Sequence, residues 1–119
     1  MALHIKLLGL NHKSAPVDVL ERVSFTKEQL VDALPELVAR VGEGVILSTC
    51  NRTEIYTVSE DPDESARRIR SFLSGYHPLS PETLSTSLYE RTDAEAAGHL
   101  FRVASGLDSM IMGESQILG

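Results

Sequence analysis

The sequence contains a single cysteine, Cys50, and this scarcity excludes several kinds of structure. One cysteine cannot form an internal disulfide, nor can it supply the several thiolates of a cysteine-rich zinc site. The four histidines show no ligand spacing, so the sequence predicts no metal site. No stretch approaches the roughly 20 apolar residues of a membrane span, and the N-terminus is too short and polar for a signal peptide. We therefore predict a cytoplasmic protein with a reduced thiol and no membrane contact.

Basic residues are also scarce, with 11 Lys and Arg against 17 Asp and Glu and a net charge of −6. Such a surface holds a phosphate backbone poorly, so nucleic-acid contacts would be local or supplied by another part of a longer protein. A phosphate-cradling loop is missing too. "GEGVIL" (42–47) has two glycines but precedes a strand and lacks the following helix of a dinucleotide fingerprint. A nucleotide, if redox chemistry occurs, would bind elsewhere.

The apolar pattern alternates between the periods of strands and helices. Strand patterns occupy 3–10, 44–50, 53–59 and 86–91, and helical patterns occupy 25–42, 61–76 and 92–107. Only two residues separate the second and third strands, so these are expected to be antiparallel neighbours. The order β-α-β-β-α-β, followed by a third helix, is the ferredoxin-like split βαβ pattern. We therefore predict one α+β domain over 1–119, a sandwich of a four-stranded antiparallel sheet with helices packed on one face.

Several local features add testable detail. Thr26 with Gln29, and Thr92 with Glu95, have the spacing of helix capping boxes. Pro35 predicts a kink or break in its helix. The β-branched run at 44–50 predicts a central strand. The last helix is predicted to bury an apolar stripe, made of Ala97, Leu100, Phe101, Ala104 and Leu107.

Cys50 lies in "LSTCNR" (47–52), where an apolar strand gives way to polar residues. One interpretation is a small buried residue, which free cysteine often is. The other is a nucleophile. If 50–52 is extended, Cys50 and Arg52 project to the same side, and a guanidinium beside a thiol lowers its pKa. Both interpretations remain open on the residues alone.

Two further features are ambiguous. His99 lies beside the apolar stripe of the last helix, where a partly buried structural histidine is more common than a base. Nothing in its spacing places it near Cys50. "GLDSMIMGESQILG" (106–119) is either a helix end followed by a loop, or a polar lining for a small zwitterionic ligand.

Three blocks together resemble one family. "GLNHKSAPV" (9–17), "LSTCNRTEIY" (47–56) and "HLFRVASGLDSMIMGESQILG" (99–119) are similar to the N-terminal catalytic domain of glutamyl-tRNA reductase, and the resemblance covers essentially the whole chain. The family reduces glutamyl-tRNA with NADPH to glutamate-1-semialdehyde, the first step of five-carbon tetrapyrrole (porphyrin and heme) biosynthesis. The resemblance implies NADPH-binding and C-terminal dimerisation domains absent from this chain, a homodimer in the full-length protein, and channelling of product to the semialdehyde aminomutase.

The resemblance also implies roles for individual residues. Cys50 would be the nucleophile that accepts the glutamyl group as a thioester, and His99 matches a position important for activity. The substrate-binding residues would be Thr49, Asn51, Arg52, Ser109, Glu114, Ser115 and Gln116. This sequence departs from many relatives at Leu20, where they carry arginine, and at Ser115, where they carry proline. The chain alone is expected to form and hydrolyse the thioester without reducing it.

Two other functions compete with this prediction. A ferredoxin-like amino-acid sensor would bind a small ligand without needing the Cys50 thiol. A thiol redox sensor would use Cys50 but not the segment from Ser109 to Gln116. A glutamyl thioester on Cys50 distinguishes the enzyme from both.

Overall fold

The computed structural model describes residues 2–77 and 79–106. Strands and helices alternate along these residues much as the pattern predicts, with two additional short helices. In chain order the elements are β1 (His4–Asn11), α1 (Val17–Val23), α2 (Lys27–Val41), β2 (Glu43–Thr49), β3 (Arg52–Ser59), α3 (Pro62–Tyr76), α4 (Pro81–Ser87), β4 (Tyr89–Thr92) and α5 (Ala94–Ala104).

The four strands form one antiparallel sheet in the order β2-β3-β1-β4. β2 and β3 form a hairpin in which Thr49 pairs with Arg52, so the two strands are neighbours as predicted. β1 pairs with β3 along its whole length, from His4 opposite Ser59 to Asn11 opposite Arg52. This strand order is that of the ferredoxin-like split βαβ fold, and the predicted α+β class is confirmed.

The larger core lies on the face of the sheet covered by α1 to α4. The central strands contribute Leu8, Leu10 and Ile55, each no more than 1% exposed. Leu37 of α2 and Phe72 of α3 are fully buried against them. Burying one such side chain contributes about 1.5–3 kcal/mol, so this face supplies most of the apolar stabilisation.

α2 begins with the predicted capping box. The Thr26 hydroxyl accepts a hydrogen bond from the Gln29 amide at 3.1 Å, and the Gln29 side chain accepts one from the Thr26 amide at 2.8 Å. The predicted break at Pro35 is wrong, since the helix continues to Val41. Pro35 lies on the exposed side of the helix, where water can satisfy the carbonyl left without its amide partner.

α5 packs on the opposite face of the sheet, which adds a helix outside the predicted single layer. It buries Ala96, His99 and Val103, whereas Leu100 is 43% and Phe101 75% exposed. The predicted apolar stripe of this helix is therefore wrong in the described residues; Leu107, the last of the stripe, lies outside them. The helix turns His99 toward the sheet because a buried carboxylate, described below, lies beneath it.

The start of α5 also differs from the prediction. Thr92 and Glu95 do not form a capping box, because the residue that caps the helix is Asp93. Its carboxylate accepts hydrogen bonds from His4 Nδ1 at 2.8 Å and from the Ile5 amide at 3.0 Å. These contacts tie the beginning of α5 to β1 rather than to its own first turn.

The position of β2 in the sheet corrects another expectation. β2 is an edge strand, not the central strand that its β-branched run predicts. Only alternate β2 residues such as Ile46 pack on the larger core, while Val45 is 59% exposed on the other face.

The two additional helices, α1 and α4, are absent from the predicted pattern. They have seven residues each, too few for their periodicity to stand out in the sequence.

Candidate active site

Cys50 lies at the tip of the β2–β3 hairpin. β2 ends at Thr49 and β3 begins at Arg52, so Cys50 and Asn51 form the turn. The Thr49 hydroxyl accepts a hydrogen bond from the Asn51 amide at 3.1 Å, which holds the turn tight. Cys50 itself is exposed. The interpretation of Cys50 as a small buried residue is therefore wrong.

The loop after β1 supports this turn from the side. The His12 amide donates to the Asn51 carbonyl at 3.1 Å. Asn11 shapes the loop, since its side-chain oxygen accepts from the amides of Lys13 at 2.8 Å and Ser14 at 3.1 Å. These local bonds fix the end of β1 against the turn that carries the thiol.

An open cavity of about 360 Å³ lies beside Cys50. Its wall combines the turn, the loop after β1 and the end of α1; the lining includes His12, Leu20, Glu21, Ser24, Cys50 and Asn51. Leu20, one of the two positions that the family resemblance singles out, thus lines the same cavity as the thiol. The cavity leaves room for a small acyl group next to the sulfur.

Arg52 does not stand beside Cys50 in the manner predicted. That expectation assumed an extended chain over 50–52, whereas Cys50 and Asn51 form a turn. Arg52 is completely buried on the face of the sheet covered by α5. Its Nη1 donates to Glu54 Oε2 at 3.3 Å. The positive charge of Arg52 is therefore paired with the buried carboxylate of Glu54, which lies two residues further along β3.

Glu54 is the centre of a buried polar cluster that the sequence analysis did not identify. The residue is fully buried, and donors surround both of its carboxylate oxygens. Tyr56 donates to Oε1 at 2.8 Å, and Tyr89 donates to Oε2. His99 Nε2 lies 2.5 Å from Oε2. Together with Arg52, these groups satisfy a carboxylate that would otherwise be very costly to bury.

The cluster keeps Glu54 ionised. Burial alone would raise the pKa of this carboxyl, but hydrogen bonds from His99 and Tyr89, the charge of His99 and the bond from Tyr56 outweigh burial and lower the pKa. Because the carboxylate accepts, His99 Nε2 is the donor in their contact. Burial and the negative charge of Glu54 raise the pKa of Tyr56 and Tyr89, so both phenols stay protonated as donors.

His99 opens onto a second cavity, on the α5 side of the same sheet end. This cavity measures about 300 Å³ and is lined by Asn11, Lys13, Ser14, Tyr89, Arg91, His99 and Arg102. Within the described part of the chain, His99 and Cys50 line different cavities, and the loop after β1 contributes lining residues to each of them. The other predicted substrate residues, Ser109, Glu114, Ser115 and Gln116, lie outside the described residues.

The strand pattern contains a signal that could have revealed the cluster. Arg52, Glu54 and Tyr56 alternate along β3, so they share one face of a strand. An Arg and a Glu on the same face of a strand predict an ion pair. That β3 is central, and that the pair is therefore buried, follows only from the topology. Tyr89 comes from β4 and His99 from α5, and no local pattern predicts their contact with Glu54.

Gly9 lets the cluster close over β1. A Cβ at this position would lie 2.8 Å from Glu54 Cγ and 3.1 Å from the Tyr89 hydroxyl. We expect Gly9→Ala to push both side chains apart and to lower the free energy of unfolding by about 1–3 kcal/mol. Urea denaturation followed by circular dichroism measures this change.

Gly98 provides the matched control, because it lies on α5 next to His99. A Cβ there would meet nothing closer than Arg102 Nη1 at 3.5 Å, an ordinary contact. Gly98→Ala should leave stability unchanged or raise it by up to about 1 kcal/mol, as alanine favours the helix. Equal effects of the two substitutions would contradict a close fit at Gly9.

Residues 2–77 and 79–106 bring together no group of three or more His, Cys, Asp or Glu side chains placed to bind a metal. None of their helices has the length and apolar character needed to cross a membrane.

Comparisons with known proteins agree on one family. Residues 8–119 match the family model described as "Glutamyl-tRNAGlu reductase, N-terminal domain". A curated glutamyl-tRNA reductase from Chromohalobacter salexigens is 52% identical over 114 residues, which cover 94% of this chain and 26% of that protein. The solved glutamyl-tRNA reductase from Methanopyrus kandleri is 32% identical, with a TM-score of 0.67 over 96% of this chain and 25% of that one. The chain thus spans about a quarter of these relatives' length and belongs to the family of glutamyl-tRNA reductase N-terminal domains.

Proposed function

We propose that this domain supplies the acyl-accepting nucleophile for the reduction of glutamyl-tRNA to glutamate-1-semialdehyde. The observation that carries the proposal is the exposed Cys50 thiol at the tip of a tightly bonded hairpin, beside an open cavity. The family supports the substrate, since the relatives are named for glutamyl-tRNA. The product would enter tetrapyrrole biosynthesis.

The first step is acyl transfer to sulfur. The Cys50 thiolate attacks the ester carbonyl of glutamyl-tRNA, a bond forms between sulfur and the carbonyl carbon, and the bond to the tRNA 3′ oxygen breaks. The released oxygen takes a proton to become the 3′ hydroxyl. The product is a glutamyl thioester on Cys50, which is a much better hydride acceptor than a carboxylate.

The second step reduces the thioester. The hydride that the thioester carbonyl carbon accepts would come from NADPH, held by another part of a longer protein. The resulting thiohemiacetal on Cys50 collapses, the carbon–sulfur bond breaks, and the thiolate leaves the aldehyde product. Cys50 is then free for another acyl transfer. The present chain therefore performs the first step, and loses the acyl group to water when no hydride arrives.

The residues around the thiol divide into two groups in this proposal. Thr49 and Asn51 shape the turn and place polar atoms next to the glutamyl group. Arg52 stays a proposed substrate-site residue, but it is fully buried and paired with the ionised Glu54. Its direct part in this proposal is therefore to anchor the start of β3 beneath the turn that carries the thiol.

His99 and the segment after α5 complete the proposed substrate site. The end of α5 lies near the thiol end of the sheet, because Arg102 shares a cavity with Asn11 and Ser14. By the resemblance we assign Ser109, Glu114, Ser115 and Gln116 to binding of the glutamyl moiety. We retain His99, which lines the second cavity, as a residue important for activity.

Partners beyond the substrate belong to the longer protein. We propose that NADPH binding and homodimerisation are functions of parts outside this chain, which spans 26% of its curated relative. Passage of the aldehyde directly to the aminomutase that consumes it would protect a reactive product. A cytoplasmic location fits a thiol that must stay reduced to act.

The tRNA contact of this domain is expected to be limited to the acceptor end. With a net charge of −6, the domain offers little attraction for a phosphate backbone. We expect weak binding of glutamyl-tRNA by the 119-residue chain, with a shallow dependence on salt concentration. Fluorescence anisotropy at several salt concentrations measures both. Tight binding that falls steeply with salt would contradict this division of labour between domains.

The acylation experiment tests the proposed function directly. The chain is incubated with glutamyl-tRNA, with and without NADPH, and its intact mass is measured. We expect an added mass of one glutamyl group that decays slowly, in equal amounts under both conditions, and no semialdehyde. Failure to acylate, in a chain shown to be folded, would overturn the proposal. Semialdehyde made by this chain alone would overturn the assignment of hydride delivery to another part.

A further inference from the structure

The cavity that His99 lines on the α5 side of the sheet end is strongly cationic. Lys13, Arg91 and Arg102 all contribute to its lining, and none of the described residues that line it is acidic. These three residues form a cationic wall in a chain whose 17 acidic residues outnumber its 11 basic ones. The wall therefore attracts an anion to one place on a molecule whose net charge attracts none.

The two arginines of the cationic wall have no carboxylate partner in the described part of the chain. Most other arginines do pair with a glutamate, namely Arg40, Arg52, Arg67, Arg68 and Arg70. Arg91 donates to the Glu90 carbonyl at 2.7 Å, and its guanidinium lies 5.5 Å from the centre of the Tyr89 ring. These contacts hold Arg91 in place and leave other N–H groups of its guanidinium for a ligand.

The cationic wall begins next to the cavity of the thiol. His12 lines the cavity beside Cys50, and the following residue, Lys13, belongs to the cationic wall. The Cα atoms of adjacent residues are about 3.8 Å apart, so the two cavities approach each other at this loop. The His12 amide bonds to the Asn51 carbonyl at 3.1 Å, which fixes the loop beside the turn. An ester held at the thiol therefore has its neighbouring groups close to the cationic wall.

The glutamyl group itself matches this wall poorly. In a glutamyl ester the α-carboxyl is part of the ester, which leaves one side-chain carboxylate, one α-ammonium and no net charge. Three clustered cations repel that ammonium. The RNA attached to the ester, in contrast, carries one phosphate for each nucleotide, and guanidinium groups bind phosphate through two parallel hydrogen bonds. The wall therefore fits the RNA better than the amino acid.

We propose that Lys13, Arg91 and Arg102 bind the phosphates of the last nucleotides at the 3′ end of the substrate RNA and so place the ester at Cys50. The inference rests on the proposed function for the identity of the substrate. It agrees with the acidic surface, because contact with one or two phosphates of a single strand gives a salt slope of only about −0.7 for each. The RNA contact thus serves to orient the reacting carbonyl.

Two acyl donors that differ by one phosphate test the assignment. 3′-O-glutamyl-adenosine carries no phosphate, whereas its 5′-phosphate carries one in the place of the last internucleotide linkage. The initial rate of Cys50 acylation is followed by intact mass without NADPH, so that no cofactor phosphate is present. At low donor concentration we expect the parent chain to react about tenfold faster with the phosphorylated donor, as one charge-assisted contact provides.

The variant Lys13→Ala/Arg102→Ala should lose most of this preference. Lys27→Ala/Arg67→Ala is the matched control, because it removes the same two residue types from exposed positions on α2 and α3, and it should keep the preference. Circular dichroism confirms that both variants are folded. Equal rates for the two donors in the parent chain, or a preference that survives Lys13→Ala/Arg102→Ala, would overturn the proposal.

A binding measurement gives a readout that needs no chemistry at Cys50. An unacylated RNA minihelix that ends in CCA and carries a 5′ fluorescein is titrated with each chain at several salt concentrations. We expect Lys13→Ala/Arg102→Ala to weaken binding about tenfold and to flatten the salt slope by about 1, with much smaller changes in the control. Equal losses in both variants would overturn the proposal. This binding pattern without acylation of the parent chain would support the cationic wall and contradict the proposed function, whereas acylation without a phosphate preference would do the reverse.

Discussion

Replacing Glu54 by alanine is expected to lower the free energy of unfolding by about 3–5 kcal/mol, because Arg52 and His99 stay buried but lose the carboxylate that both of them contact. The phenols of Tyr56 and Tyr89 lose their acceptor as well. In urea this corresponds to a midpoint lowered by roughly 2 M for an m-value near 2 kcal/mol/M. Circular dichroism at equilibrium measures the shift.

Glu64 provides a control of the same residue type. It also bonds two arginines, Arg67 and Arg68, but on the exposed surface of α3. Exposed ion pairs contribute little, so Glu64→Ala should leave the urea midpoint nearly unchanged. A similar loss for both variants would show that the buried cluster has no special role in the fold.

The same comparison has a defined pH dependence. The pKa of Glu54 is lowered in the folded state from its ordinary value of 4.5, so the unfolded chain binds the proton more readily. Stability contributed by the ionised carboxylate is fully present above pH 4.5 and is lost as the pH falls through the lowered folded pKa. The difference between the parent and Glu54→Ala should therefore shrink in acid. A difference that stays constant from pH 7 down to pH 3 would contradict the ionised state of Glu54.

The second large effect is expected from Cys50→Ser, which should reduce acylation by glutamyl-tRNA below detection. A serine hydroxyl is far less nucleophilic than a thiolate at neutral pH. Intact mass after incubation with glutamyl-tRNA measures the loss. A glutamyl adduct that persists in Cys50→Ser would place the acceptor on another residue.

The fold is not expected to suffer from this substitution. Cys50 is exposed and its side chain supports no core contact, so Cys50→Ser should change the free energy of unfolding by less than about 0.5 kcal/mol. Glu54→Ala, in contrast, should lower the free energy of unfolding strongly. The two variants together separate the chemistry of the turn from the stability of the sheet beneath it.

The sequence predicts the fold well because strong local signals follow one another in a recognisable order. Thr26 and Gln29 cap α2 as expected, and Asp61 caps α3 by accepting from the Glu64 amide at 3.1 Å. The two-residue spacing between the apolar runs predicts the hairpin. The errors arise where tertiary contacts override a local pattern. α5 packs with His99 against Glu54, so its predicted apolar stripe does not face the sheet. Asp93, not Thr92, is the N-cap residue of this helix, and its carboxylate bonds to the Ile5 amide of β1.

The candidate site is predictable only in part for the same reason. Cys50 stands out by its rarity and its position, but the sequence pattern carries the strand through Cys50, whereas the structure places Cys50 in the turn. The burial of Arg52 and the assembly of Glu54 with Tyr89 and His99 depend on residues 35–45 positions apart along the chain. No pattern within one strand or helix contains that information.

The alternation of Arg52, Glu54 and Tyr56 along β3 has a consequence for how β1 and β3 find each other. If β3 slipped by one residue against β1, every side chain of the strand would move to the opposite face. Arg52 and Glu54 would then enter the apolar layer built around Leu8 and Leu10, away from the His99 and Tyr89 side chains that now contact Glu54. The charged face therefore penalises the wrong pairing, and Arg52 and Glu54 help to hold the two central strands in their observed alignment.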